Sequence, residues 1–212
     1  MRSREVDSPV GEVTLPGTLT LPAPPHGIVV FAHGSGSSRA SPRNRLVARV
    51  LADAGIATLL FDLLTPAEDC DRDARFDIER LTERLVGATE WLATQTAVAG
   101  LPVGYFGAST GAAAALRAAA EVGATVRAVV SRGGRPDLAG ENALTRVGAP
   151  TLLLVGGGDP EVVELNRAAR SRLRGVCELA IVPGATHLFE EPGALEAVAV
   201  AARDWFLRHL GR

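Results

Sequence analysis

Apolar residues along this chain fall into short unbroken runs, separated by longer stretches in which they recur every three or four positions. The runs at residues 28–32 (IVVFA), 56–62, 103–106, 126–131, 151–155 and 177–182 read as strands, that at 28–32 as fully buried. Between them the helical period predicts helices over 42–54, closed by Gly55, and over 78–96, with Leu81, Leu85, Ala88 and Leu92 on one face. Further helices are predicted over the alanine-rich stretch after residue 109, over 137–146 as a short element, and over 161–173 and 195–210. Residues 11–21 alternate with a period of two and are read as a two-strand antiparallel start, turned back at Pro16-Gly17. Residues 22–27 and the polar stretch 63–73 are read as loops. Strands alternating with helices define the α/β class: a mainly parallel sheet of about seven to eight strands, covered by helices on both faces. Residues 1–212 are expected to form one domain, and 131–151 leave room only for a loop and a short helix, so no cap domain is expected.

Composition narrows the function more than the fold. Hydrophobic residues make up 47% and charged residues 22%, values of an ordinary globular protein. With a net charge of -2, nothing in the charge balance points to nucleic acid or an anionic membrane. All 22 basic residues are arginine, which rules out a lysine base, a Schiff base and a P-loop lysine. Cys70 and Cys177 lack the spacing of a zinc site and are read as unpaired thiols. The N-terminal residues carry charge but no apolar signal core, and no run approaches a membrane span. The expectation is a cytoplasmic protein acting on a small molecule, without metal or organic cofactor.

The chemistry gathers at the carboxyl ends of the strands, where α/β sheets bind ligands. Gly107-Ala108-Ser109-Thr110-Gly111 lies between an apolar strand and an alanine-rich helix, the setting in which Gly-x-Ser-x-Gly forms a nucleophile elbow. His33-Gly34-Ser35 follows the 28–32 strand, Asp159 follows a Gly-Gly-Gly turn after 151–155, and His187 follows the last strand. The order Ser109, Asp159, His187 along the chain is that of a hydrolase triad. Serine is a weak nucleophile and needs a base, assigned to His187, which Asp159 would orient. Backbone N–H groups of Thr110 and of Ser35, or alternatively Gly34, are the candidate oxyanion donors. A histidine base predicts activity that falls as pH drops through the imidazole range, near about 6.5.

These motifs resemble the α/β-hydrolase superfamily, in particular its small lidless members similar to dienelactone hydrolases. The resemblance runs from the antiparallel start through His33-Gly34, the elbow and the Gly-Gly-Gly-Asp turn to Gly184-Ala185-Thr186-His187. It implies the α/β-hydrolase fold and a serine hydrolase that cleaves carboxylic esters or related acyl compounds. One departure stands out: dienelactone hydrolases proper use a cysteine nucleophile, and residue 109 is serine.

Plainer readings compete at each position. Asp159-Pro160 also suits a helix N-cap and N1 pair, and Asp62 or Glu161 could supply the acid instead. His26 precedes a strand, and His209 suits a helix C-terminus. His33 stands at the correct edge and is read as bracing the oxyanion loop, with substrate contact as its other candidate role. Arg132 and Arg135 flank the same edge, either to meet an anionic substrate or merely to solvate a loop. Gly34-x-Gly36 followed by Asp62 is a partial dinucleotide fingerprint whose third glycine is replaced by Arg39. Acyl transfer, thioester cleavage and a non-catalytic ligand-binding role would use the same residues.

Overall fold

The computed structural model describes residues 1–211; Arg212, the last residue of the expected domain, lies outside them. In chain order the elements are β1 (Arg2–Val10), β2 (Val13–Leu21), β3 (Ile28–Ala32), α1 (Pro42–Asp53), β4 (Ala57–Phe61), α2 (Pro66–Asp69), α3 (Arg72–Phe76) and α4 (Ile78–Ala93). There follow β5 (Val103–Ala108), α5 (Thr110–Val122), β6 (Val126–Arg132), α6 (Glu141–Leu144), β7 (Thr151–Gly156), α7 (Pro160–Arg170), β8 (Cys177–Val182) and α8 (Ala194–Leu210). The eight strands form one sheet in the order β1-β2-β4-β3-β5-β6-β7-β8. β1 and β2 run antiparallel, β2 meets β4 antiparallel, and every later pairing is parallel. This is the mostly parallel architecture of the α/β-hydrolase fold, as the alternation of elements predicts.

Each face of the sheet carries its own apolar core. On one side Val47, Leu51, Val198, Ala202 and Phe206 of α1 and α8 cover Val29, Phe31, Phe106 and Val130. On the other, Leu81, Leu85 and Leu92 of α4 pack with the alanines of α5 over Val30, Leu59 and Tyr105. The central strands are therefore buried on both faces, which is why they read as continuous apolar runs. β3 joins β4 through α1 on one face, whereas β4 leads to β5 through α4 on the other. The strand order reverses between β3 and β5, and a crevice opens at their carboxyl ends, the usual ligand position in such sheets.

Three local expectations need correction. The hairpin turns at Gly11, whose φ is 59°, and Pro16-Gly17 lies inside β2. Pro16 sits one residue before the pairing with β4 begins at Gly17, and its carbonyl still accepts the N–H of Asp62. The polar stretch 63–73 is not a plain loop, because the Thr65 hydroxyl accepts from Glu68 N while Glu68 returns to Thr65 N, a capping box that starts α2. Asp71 then caps α3. The helix expected over 137–146 is a 3-10 turn at Pro136–Ala139 and the single turn of α6. These are the only regular elements between β6 and β7, where a cap would be inserted.

Candidate active site

β5 delivers Ser109 to the crevice in a strained backbone, with φ 51° and ψ -118°. The strain is over-determined by close packing on both sides. A Cβ on Gly107 would run into the Cα of Ala112 and the carbonyl of Gly111, and one on Gly111 would run into the carbonyls of Ala32 and His33. The elbow is also tied to β6: Ser109 N donates to Arg132 O and Arg135 N donates to Ser109 O, both at 3.2 Å. Although Ser109 occupies the N-cap position of α5, its side chain makes no capping bond, which leaves the hydroxyl to the cavity.

Asp159 serves two ends at once. Its Oδ1 accepts the N–H of Val162 at 3.4 Å and caps α7, while its Oδ2 accepts the Nδ1–H of His187 at 2.9 Å. The helix-cap reading and the acid reading of this residue are thus compatible. The loops carrying the pair are zipped together by Gly157 N to Val182 O and Gly158 N to Ala185 O. Just after His187, Phe189 has φ 56°, a costly backbone for a bulky residue, and its fully buried ring anchors the turn in the α1/α8 core. Glu161 is the second residue of α7 and is not the partner of His187. Asp62 is taken up by Arg39, which donates its N–H at 2.7 Å and its guanidinium at 2.8 Å to the two carboxylate oxygens. Asp62 therefore anchors the loop after β3 and is in no position to serve as a dinucleotide-ribose ligand.

Ser109, His187, Gly34, Ser35 and Arg132 line one cavity of about 230 Å³, together with Arg43, Asn44, Ser37, Ser41 and Leu188. Size does not single it out, since a cavity of about 450 Å³ lies at the amino ends of β6 and β7 beside Pro150 and His209. What distinguishes the smaller one is the convergence of a strained serine, an oriented imidazole and two guanidinium groups. Among the described residues no cluster of three or more His, Cys, Asp or Glu side chains could hold a metal ion. Cys70 and Cys177 are both free.

The remaining candidates fall apart into different roles. The Ser35 N–H is not idle: it donates to Thr110 Oγ1 at 2.9 Å, so the nucleophile's neighbour holds the loop after β3 in place. His33 is not a substrate contact, because it is only 6% exposed and both ring nitrogens are engaged with backbone. Its Nε2 accepts Leu63 N at 3.0 Å, which puts the proton on Nδ1, the donor to Gly34 O at 3.0 Å. Arg135 forks onto Asp137 at 2.9 and 2.7 Å and is thereby turned away from the cavity. Arg132 is the opposite case. It is 7% exposed, its Nε has no hydrogen-bond partner, and its guanidinium stands 5.9 Å from the Phe189 ring. The picture of an arginine solvating a surface loop therefore fails for Arg132. Sequence reasoning missed Arg43 and Asn44; the available signal was Ser41-Pro42, an N-cap and N1 pair that puts the next two residues at the crevice.

Burial pushes the His33 pKa below the ordinary imidazole value, outweighing the opposing pull of the Gly34 carbonyl and of Asp62 and Asp69. A histidine depressed in the folded state adds stability above its unfolded pKa and loses it as pH falls below that value. Protonation would also end the acceptance of Leu63 N–H. The thermal midpoint should therefore drop between about pH 7 and pH 5, with a shallower slope in His33→Asn. Equal slopes in the two proteins would show that His33 carries none of the acid sensitivity.

Fold and site together define a protein of the α/β-hydrolase class. The model of the dienelactone hydrolase family matches residues 15–210, and the chain belongs to that family, a family of hydrolases. A crystal structure of dienelactone hydrolase from Anabaena variabilis superposes with a TM-score of 0.96 at 57% identity, covering 99% of this chain and 98% of that one. An esterase of Pyrococcus furiosus shares the fold, with a TM-score of 0.79 at 18% identity over 99% of this chain and 92% of that one. Curated relatives from two strains of Mycobacterium tuberculosis, provisionally named phosphoribosyl transferases, are 63% identical over 210 residues. That match takes in 99% of this chain but 47% of each relative, so the chain spans about half their length. No helix among the described residues is long and apolar enough to cross a membrane.

Proposed function

We propose that this chain is a serine hydrolase that cleaves carboxylic esters or related acyl compounds through an acyl-enzyme on Ser109. The observation that carries the reading is the imidazole of His187 held by Asp159 at 2.9 Å in the same cavity as a serine in a strained elbow. With Nδ1–H donated to the carboxylate, Nε2 is the basic nitrogen. It takes the Ser109 proton as the hydroxyl oxygen attacks the acyl carbon, then returns that proton to the leaving alcohol. Water enters by the same route and releases the acid. Asp159 fixes the tautomer and stabilises the imidazolium formed in between.

The developing oxyanion needs donors already in place. Thr110 opens α5, where the first N–H groups have no acceptor within the helix, and one such group beside the nucleophile suits the charge. The second donor comes from the loop after β3. Gly34 lies against the elbow, since a Cβ there would meet Ala108 O at 3.1 Å, and the Ser35 N–H already points to Thr110 Oγ1. An oxyanion displacing that hydroxyl would inherit the Ser35 N–H. Thioester cleavage and acyl transfer to an acceptor other than water use the same groups. The name of the mycobacterial relatives refers to proteins about twice as long, of which this chain covers 47%.

Ser109→Ala tests the reading. The variant should fold with an unchanged circular dichroism spectrum and lose at least about 10³-fold of its turnover of a short p-nitrophenyl ester, since removing a nucleophile removes the covalent route. Undiminished turnover in a correctly folded Ser109→Ala protein would remove the acyl-enzyme.

A further inference from the structure

We propose that the end of the active cavity formed by Arg132, Arg43 and the first turn of α1 is a phosphate subsite, and that the acyl substrate carries a phosphate monoester there. The inference rests on the hydrolase reading for the bond that is broken, the acyl C–O bond at Ser109, with the phosphate serving as a handle that stays intact.

Arg132 is the key observation. An arginine with only 7% of its surface exposed is normally met by a carboxylate. Arg132 has none: among the described residues it forms no ion pair, its Nε is unsatisfied, and its one close companion is the face of Phe189. Burial, and after it the charge of Arg43, lowers its pKa to about 10, so it stays protonated at neutral pH despite the cost. A buried cation kept without a counter-ion, in the wall of a cavity beside Ser109, is a place prepared for an anion that arrives from outside.

Two further sources of positive potential converge on the same wall. Arg43 lines the cavity from α1, and among the described residues its carboxylate partner is Glu190, whose side chain is 64% exposed, at 3.3 Å. The N-terminus of α1, a helix of twelve residues, faces the cavity through Ser41, Arg43 and Asn44, and its first turn contains no acidic residue. A helix N-terminus favours an anion through its free N–H groups and its dipole; here Pro42 has no N–H and the Asn44 N–H is given to Ser41 Oγ at 3.4 Å, so the dipole is the main contribution. One guanidinium already satisfies the two coplanar oxygens of a carboxylate. Two guanidinium groups from different elements and a helix end suit a dianion with three terminal oxygens spread in space. The charge therefore favours phosphate over carboxylate.

The test uses the Ser109→Ala chain, so that binding is read without turnover. Inorganic phosphate is titrated by calorimetry and by thermal shift, with sodium chloride at matched ionic strength and sodium acetate as controls. Phosphate should bind saturably and raise the thermal midpoint. Arg132→Met and Arg43→Gln should each weaken binding at least about tenfold, the size expected for losing one charge-assisted contact. In phosphate-free buffer Arg132→Met should melt no lower than its parent, because methionine fills the site without a buried unpaired charge. The proposal is overturned if phosphate does no more than chloride, or if both variants bind it as the parent does. Acetate binding as tightly as phosphate would overturn it in favour of a carboxylate-bearing substrate. Should Arg132→Met fail to fold, the parent titration and Arg43→Gln still decide. Phosphate binding in a chain whose Ser109 proves unreactive would leave the subsite standing and remove the hydrolase reading, so the two fail separately.

Discussion

Substituting alanine for Gly111 is expected to remove about 3 kcal/mol or more of stability, at the upper end of what overpacking costs, in a fold whose total is of order 5–15 kcal/mol. The new methyl group would collide with the carbonyl oxygens of Ala32 and His33, which are backbone atoms at the end of β3. Neither can move without disturbing the parallel pairing of β3 with β5 or the loop that presents Gly34 and Ser35. The loss should therefore appear both as a lower urea midpoint and as a collapse of activity in whatever protein remains folded. Gly148→Ala is the control: that glycine is exposed, has nothing within 4 Å of an added Cβ, and should change stability by no more than about 0.5 kcal/mol. Equal stability in Gly111→Ala and the parent would mean that the elbow does not pack against the end of β3 as described.

Asp159→Asn should separate the two duties of that residue. Asparagine is as good an N-cap as aspartate, so the bond to Val162 N and the start of α7 should survive with little change in unfolding midpoint. The bond to His187 changes in kind. An amide turned to present its N–H₂ would force Nδ1 to accept, moving the ring proton to Nε2, the atom that must be basic. An amide turned the other way would keep the tautomer, but it would set its N–H₂ against the Val162 N–H and lose both the cap and the charge that stabilises the imidazolium, so the cap favours the first orientation. Turnover should fall by as much as about 10⁴-fold, the loss associated with a wrong tautomer in such triads. If activity fell only as far as stability did, Asp159 would be a helix cap and nothing more.

How much of this was visible in the sequence depended on how strongly each stretch is buried. β3 has the bounds expected from its apolar run, because a strand covered on both faces has one composition and clear ends; β8 also keeps its expected bounds, although it is an edge strand with none of its six residues buried. β1 carried no such signal. Seven of the nine residues in Arg2–Val10 are exposed or half-buried, as befits an edge strand paired on one side only, and the hairpin was misplaced onto the stronger turn dipeptide at Pro16-Gly17. α2 and α3 were hidden in a stretch whose polarity suggests a loop but whose Thr65, Glu68 and Asp71 are caps.

At the site, chain order placed Ser109, Asp159 and His187 on neighbouring loops because strand ends in a parallel sheet share one edge. Motif order cannot report side-chain direction, and it left Arg132 and Arg135 equivalent. The structure separates them: Arg132 is the last residue of β6, held in register beside Ala108 and pointing inward, whereas three residues later the chain has turned and Asp137 offers Arg135 a partner. His33 was read as a brace for the loop after β3, but the motif could not show which atoms it engages, the Gly34 carbonyl and the Leu63 N–H.

The measurement that bears most directly on the central claim is intact mass after exposure to a fluorophosphonate probe, which reacts only with a serine made nucleophilic by its surroundings. The account predicts a single adduct, located by peptide mapping on Ser109, absent from Ser109→Ala and lost or greatly slowed in His187→Ala. A well-folded parent protein that stays unlabelled would contradict it, because a strained elbow facing an oriented imidazole would then not have activated the serine.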